Sequence, residues 1–205
     1  MNYDTLASSD VVNKTTAALT KKGYEVFIVE NKNQALEKIK TLIPNGASVM
    51  NGSSVTLEQI GYVEYLKSGK HRWIDLNAEV NAENNKEKRD KLRRETVLAD
   101  YYLVSIHALI ENGEFLIASN SGSQLPHIVF TSSNLIFVVS TKKIVATIDD
   151  AMKRLNEHVV PLENEHMMKL YNVCTNLNKI VIFKGELALL GRKIKFILVE
   201  EDLGF

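Results

Sequence analysis

The sequence contains one cysteine, Cys174, and no surplus of charge of either sign. A single cysteine excludes an intramolecular disulfide framework and any cysteine-rich metal cage, and it fits a reducing compartment. Lysine plus arginine total 25 and aspartate plus glutamate total 25, so no bulk field draws the chain to nucleic acid or to a membrane surface. Nowhere do about 18 apolar residues run together, and the opening MNYDTLASSD lacks the basic start and apolar run of a secretory leader. Membrane spanning and secretion are therefore not expected, and the cytoplasm is the expected location. Repeats and low-complexity linkers are missing too. What is present is 205 residues with 45% hydrophobic content, enough for one substantial core and read as a single domain over residues 1–205.

Periodicity gives the elements. Residues 9–22 place Val12, Thr16 and Leu19 at helical spacing behind a Ser-Asp start, and Gly23 ends the helix. YEVFIVE reads as a strand, 33–42 as a helix with Ala35, Leu36, Ile39 and Leu42 inward, and ASVMNG as a short strand after the Pro44-Asn45-Gly46 turn. A helix over 56–67 and a strand at RWIDL follow. Three such units joined by short turns predict an α/β protein with a mostly parallel, doubly wound Rossmann-like sheet and helices on both faces. The charged stretch 81–98 reads as an exposed helix whose end packs near Val97 and Leu98, its basic run KEKRDKLRR interleaved with acids as a solvated face. The stretch ADYYLVSIHALIENGEFLIAS holds two β-rich runs around Glu111-Asn112-Gly113-Glu114, where Asn-Gly supplies the positive dihedral angles of a tight hairpin turn, so a strand, YYLVSIH, a hairpin and then a polar loop are expected. LIFVVS has the β-branched character of a strand covered on both sides. A helix over 147–158 and the strands KIVIFKG and KIKFILVEE complete the chain.

The loop NGSSVT, beginning at Asn51, leaves a predicted strand and enters a predicted helix. Its backbone N–H groups and the positive helix end suit an anion, with Ser53, Ser54 and Thr56 as hydroxyl donors. It is neither a Walker loop nor a GxGxxG fingerprint. On spacing alone, the simpler alternative is that Gly52 makes a turn and Ser53 or Ser54 caps the helix. A second polar loop, SNSGSQ, carries Ser119, Asn120 and Gly122. Ligands of open α/β sheets sit beyond the carboxyl ends of the strands, so both loops are expected to face one crevice. His107, at an expected strand end, has a near-neutral ordinary pKa suited to proton transfer, with a purely structural role as the alternative. Glu111 is a candidate acid, base or acyl acceptor if buried, although hairpin-tip carboxylates are usually solvated. His71, His127, His158 and His166 form no HExxH or comparable spacing, so no metal site is expected. Cys174, in a helix-like stretch, reads as a buried core thiol.

Several segments together resemble the lactate-utilisation (LUD) domain family, whose fold is similar to that of the sugar-phosphate isomerase and CoA-transferase superfamily. NGSSVTLEQIG resembles the family's glycine-serine loop and following helix, and ADYYLVSIHALIENGEFLIASNSGSQ its strand-hairpin-loop core. TKKIV resembles its Asn-Lys-Ile-Val segment, which adds Lys143 to the implied ligand-binding residues, and ILVEEDLGF matches a typical family ending. Where family members commonly read Ser-x-Asn-Ala-Ile-Thr, this chain reads Ser105-Ile106-His107-Ala108-Leu109-Ile110, so His107 replaces a polar residue. The cysteine-rich segment of many relatives is reduced here to Cys174, so no cluster or other cofactor carries over. The resemblance implies an accessory or ligand-binding protein of L-lactate or related carboxylate metabolism. Its expected partners are an anionic small molecule, iron-sulfur oxidoreductase subunits and a second copy of the chain. An isomerase or acyl-CoA transferase-like enzyme, using His107 or Glu111, is the alternative.

Overall fold

The computed structural model describes residues 3–205. Ser8 accepts a hydrogen bond from the Val11 N–H and opens α1 (Ser9–Lys21), whose buried side chains are Val12, Thr15 and Leu19 rather than Thr16. After β1 (Glu25–Val29), Asn31 caps α2 (Lys32–Leu42), which buries Ala35 and Ile39. β2 (Ser48–Asn51) follows. The spacing predicts one helix over 56–67, but the chain forms two, α3 (Val55–Gln59) and α4 (Tyr62–Lys67). Gly61 between them has a φ of +78°, and a left-handed residue cannot continue a right-handed helix. At RWIDL the strand shrinks to β3 (Ile74–Asp75), because the Asp75 carboxylate accepts from the Ala78 N–H at 3.1 Å and starts α5 (Leu76–Ala82).

The charged stretch 81–98 begins with the last two residues of α5 and is helical chiefly as α6 (Lys86–Glu95), which has no buried residue. Its end is anchored by Thr96, while Leu98, expected to pack inward, is 78% exposed. A larger departure follows. YYLVSIH reads as one strand, but β4 (Tyr101–Val104) stops in the first sheet, and the chain crosses at Ser105-Ile106-His107 to begin β5 (Ala108–Ile110) in a second sheet. The hairpin to β6 (Phe115–Ser119) is closed by bonds from Gly113 N–H to the Ile110 carbonyl and from Ile110 N–H to the Glu114 carbonyl. Only Gly113 there has positive φ, so this is a three-residue loop with a glycine bulge, not a two-residue turn.

β7 (Asn134–Ser140), β8 (Ile144–Val145) and α7 (Ile148–Arg154) come next. The predicted helix over 147–158 does not end at His158: it widens by one residue per turn over Leu155–Val159 and continues as α8 (Val160–Tyr171). Cys174 lies beyond that helix and is exposed, against the expectation of a core thiol; its Sγ sits 3.9 Å from the Met168 Sδ. β9 (Lys179–Phe183) and β10 (Lys193–Val199) enter different sheets.

The central sheet runs β1-β10-β7-β4-β2-β3, with every neighbouring pair parallel. The second runs β8-β5-β6-β9 and is mixed. Strand alternation sends Leu135, Phe137 and Val139 into one core and Ile136 and Val138 into another. The second of these is closed by α2, α3 and α4 through Ile39, Leu57 and Leu66. The first is closed by α1 and by the inner face of the second sheet, through Leu109, Phe115 and Ile117. The outer face of that sheet packs Ala108, Ile110 and Leu116 on Ala151, Leu155 and Val159 of the α7 region. The protein is thus a mixed α/β fold whose parallel central sheet is flanked by helices, with a small second sheet inserted on one side. Among the described residues, no helix is long and apolar enough to cross a membrane.

Candidate functional site

β2, β4, β7 and β10 end on the same edge of the central sheet because all their pairings are parallel. Beyond that edge lies a cavity of about 550 Å³, within the size range of small-molecule sites. Gly52, Ser53, Ser54 and Thr56 form the wall after β2; Ser105 and His107 come from the crossing between sheets; Ser119 ends β6 and Asn120 follows it; Lys143 follows β7. Glu111 and Gly122 do not line it. Glu111 stays at the hairpin tip, ion-paired to Lys14 of α1 at 2.6 Å, so it faces α1 and not the crevice. Gly122, at φ +85°, shapes the turn, and a side chain there would meet Lys179.

The glycine-serine loop works through space and capping. The Ser54 Oγ accepts from the Leu57 N–H at 3.3 Å and caps α3. A Cβ at Gly52 would stand 2.8 Å from the Tyr102 hydroxyl and 3.0 Å from the Gln124 Oε1. Glycine is therefore needed for close approach, not for an unusual φ. Ser53 is exposed at the rim. In the second loop, the Ser119 Oγ accepts from the Gly122 N–H at 2.9 Å, and the Asn120 Oδ1 accepts from Asn178 at 2.7 Å.

Lys143 is a deeply buried polar group of the wall. It is 4% exposed, and its Nζ donates to the Thr56 Oγ1 (3.2 Å), the Ser105 Oγ (3.1 Å) and the Ile106 carbonyl (3.3 Å). Its neighbour Lys142 is equally buried but paired, 2.5 Å from Asp202 and 3.1 Å from Asp4. Among the described residues, no carboxylate stands within ion-pair distance of Lys143. Burial, with the Arg154 and Lys142 cations nearby, holds its amine well below the usual lysine range. Gly204, at φ +67°, closes over this group; any side chain there would collide with the Thr56 Oγ1 and come within 2.9 Å of the Lys143 Nζ.

His107 is fixed on three sides. Its N–H donates to the Leu116 carbonyl, its Nδ1 accepts from the Ala118 N–H at 3.1 Å, and its carbonyl accepts from the Arg154 Nη1 at 2.6 Å. With Nδ1 an acceptor, the ring proton sits on Nε2. Burial first, then the Lys143 and Arg154 cations, push its pKa down to about 3. His107 is therefore a neutral donor at physiological pH, and not the base poised near neutrality that its ordinary pKa suggests.

Other wall residues carry no local motif. His127, read from sequence as unremarkable, stacks on Tyr102 with centroids 4.1 Å apart and bonds to Ser132 through its Nδ1 at 3.3 Å; burial pushes it down to about 4. Arg93 reaches the wall from the basic face of α6. Glu163, a side-chain carboxylate on the wall, has its pKa raised chiefly by burial. An iron-sulfur cluster does not fit this donor set, since such clusters take several thiolates and Cys174 is not on the wall. Among the described residues, no three His, Cys, Asp or Glu side chains are grouped to hold a metal ion.

A DUF162 family protein from Deinococcus radiodurans, solved by crystallography, superposes with a TM-score of 0.60 at 12% sequence identity, covering 95% of this chain and 99% of that one. At that identity the likeness is one of fold. No curated protein matches the chain significantly. The LUD domain family model matches residues 12–181, a span that takes in the glycine-serine loop, the crossing at His107 and Lys143. The chain belongs to the LUD domain family.

Proposed function

We propose that the chain is a small-ligand-binding component of carboxylate metabolism, in the lactate-utilisation setting its family name denotes, and that the cavity takes a compact carboxylate-bearing anion. The observation that carries this reading is Lys143, a buried amine with only neutral oxygens for partners among the described residues. Its protonated form is costly to bury without a counter-ion, and an incoming carboxylate would supply that counter-ion and favour the charged amine. The Nε2–H of His107 and the rim hydroxyl of Ser53 offer further donors. Acyl transfer by Glu111 has no support, because that carboxylate lies outside the cavity. With a single exposed cysteine, cluster-borne electron transfer falls to iron-sulfur oxidoreductase partners. The isolated chain is expected not to oxidise L-lactate.

Thermal unfolding with L-lactate, pyruvate, inorganic phosphate and sugar phosphates tests the reading. A ligand at 100 times its dissociation constant adds about 2.7 kcal/mol to stability. Small carboxylates should stabilise the wild type, and Lys143→Met should abolish the effect. Stabilisation that survives Lys143→Met unchanged would place the ligand elsewhere.

A further inference from the structure

We propose that Lys143 is an amine nucleophile that joins reversibly to the carbonyl carbon of a 2-oxo acid held in the cavity. This rests on the reading of the cavity as a carboxylate site and adds a covalent step to it. Adjacent lysines have opposite surroundings. Lys142 takes both nearby carboxylates, Asp202 and Asp4, as a structural ion-pairing lysine does. Among the described residues, Lys143 has only two hydroxyls and a carbonyl as partners. All three are uncharged acceptors of its N–H groups, so none supplies the negative charge that would hold the amine protonated.

The charged groups around it favour the same state. Arg154 of α7 is buried and bonds the His107 carbonyl, and its Nε and Nη2 have no partner among the described residues. Lys142 adds a second cation from the same turn, while His107, from the crossing, is neutral. Desolvation beside other cations is the environment that frees a lysine lone pair for attack on carbonyls. The lowered basicity of Lys143 agrees with that geometry.

The step balances without a co-reactant. The Nζ lone pair forms the C–N bond, the carbonyl π pair moves to oxygen, and one proton passes from nitrogen to that oxygen. A second proton, replaced in the end by the one remaining on nitrogen, reaches the same oxygen as the C–O bond breaks, so water leaves and the nitrogen lone pair closes a neutral C=N. The Ser105 and Thr56 hydroxyls, 3.1 and 3.2 Å from Nζ, stand where that proton can be relayed. When the imine is protonated, the ligand's own carboxylate compensates the cation. A 2-hydroxy acid lacks the carbonyl and can only occupy the site.

The test incubates the full chain with pyruvate and sodium cyanoborohydride, followed by intact mass and peptide mapping, beside thermal unfolding with pyruvate and with L-lactate. The expected result is one added mass equal to pyruvic acid less one oxygen atom, mapped to Lys143 ahead of other lysines. Excess L-lactate should slow it, and Lys143→Arg should remove it. Mapping on the wild type decides the matter even if that variant fails to fold. Stabilisation by pyruvate with Lys143 unmodified, or labelling spread evenly over surface lysines, overturns the covalent step and leaves carboxylate binding standing. No stabilisation by either acid, with no adduct, overturns both.

Discussion

Lys143 and Gly204 depend on each other, since the amine reaches Thr56 and Ser105 only because no side chain fills the space above it. Gly204→Ala should therefore cost about 1–3 kcal/mol by overpacking and weaken carboxylate binding as well, read by chemical denaturation and by titration of the same variant. Gly52→Ala makes a separable prediction. Its Cβ would press on the Tyr102 hydroxyl and Gln124, so the loop must shift, and ligand stabilisation should fall more than stability does. Glu111→Gln is the contrasting case. Its ion pair with Lys14 has one partner 68% exposed, and such pairs contribute at most about 1 kcal/mol. The expected outcome is ligand binding within error of the wild type; a loss of binding would show that the hairpin tip communicates with the cavity.

Elements with strong periodicity were readable from residues alone: α1 and α2 from their inward spacing, β7 from its run of Leu, Ile, Phe and Val, and the parallel start from alternating strands and helices. The crossing at Ser105-Ile106-His107 was not, because Tyr102 to Val104 and Ala108 to Ile110 are both apolar and buried, and local sequence does not mark where one sheet hands over to the next. The same blindness covers His127, whose value lies in Tyr102, 25 positions away in sequence and stacked on it in space. The glycine-serine loop lies on the cavity because the parallel strands of the central sheet end together, a rule of topology, whereas SNSGSQ reaches the same cavity at the return end of β6, an antiparallel strand of the second sheet. Glu111 was misplaced for the opposite reason: an antiparallel hairpin carries its tip away from that edge. α7 offers an element-scale check. The Thr147 Oγ1 accepts from the Asp150 N–H at 3.1 Å, and removing such a cap costs about 1 kcal/mol. Thr147→Ala should lower the denaturation midpoint and raise hydrogen exchange over the segment that carries Arg154 and Leu155.

The whole molecule buries cations and imidazoles around a single edge of its central sheet, which gives stability a definite dependence on pH. His107 falls to about 3 and His127 to about 4 from an ordinary 6.5. Between those limits the unfolded chain binds more protons than the folded one, so stability declines as pH drops below about 6.5, by up to about 1.4 kcal/mol per histidine per unit. Lys143 acts with the same sign at higher pH, since its folded amine also releases its proton more readily than the unfolded one. Stability flat from pH 7 to 4.5 in denaturant titrations would contradict this burial. Binding of a carboxylate should relieve the strain at Lys143, which makes one comparison the most direct test of the account. Isothermal titration of L-lactate and pyruvate into the wild type and into Lys143→Met at neutral pH should give single-site binding to the wild type and an affinity at least about tenfold lower, about 1.4 kcal/mol, in the variant. Equal affinities in the two proteins, or a wild type inert to both acids, would contradict it.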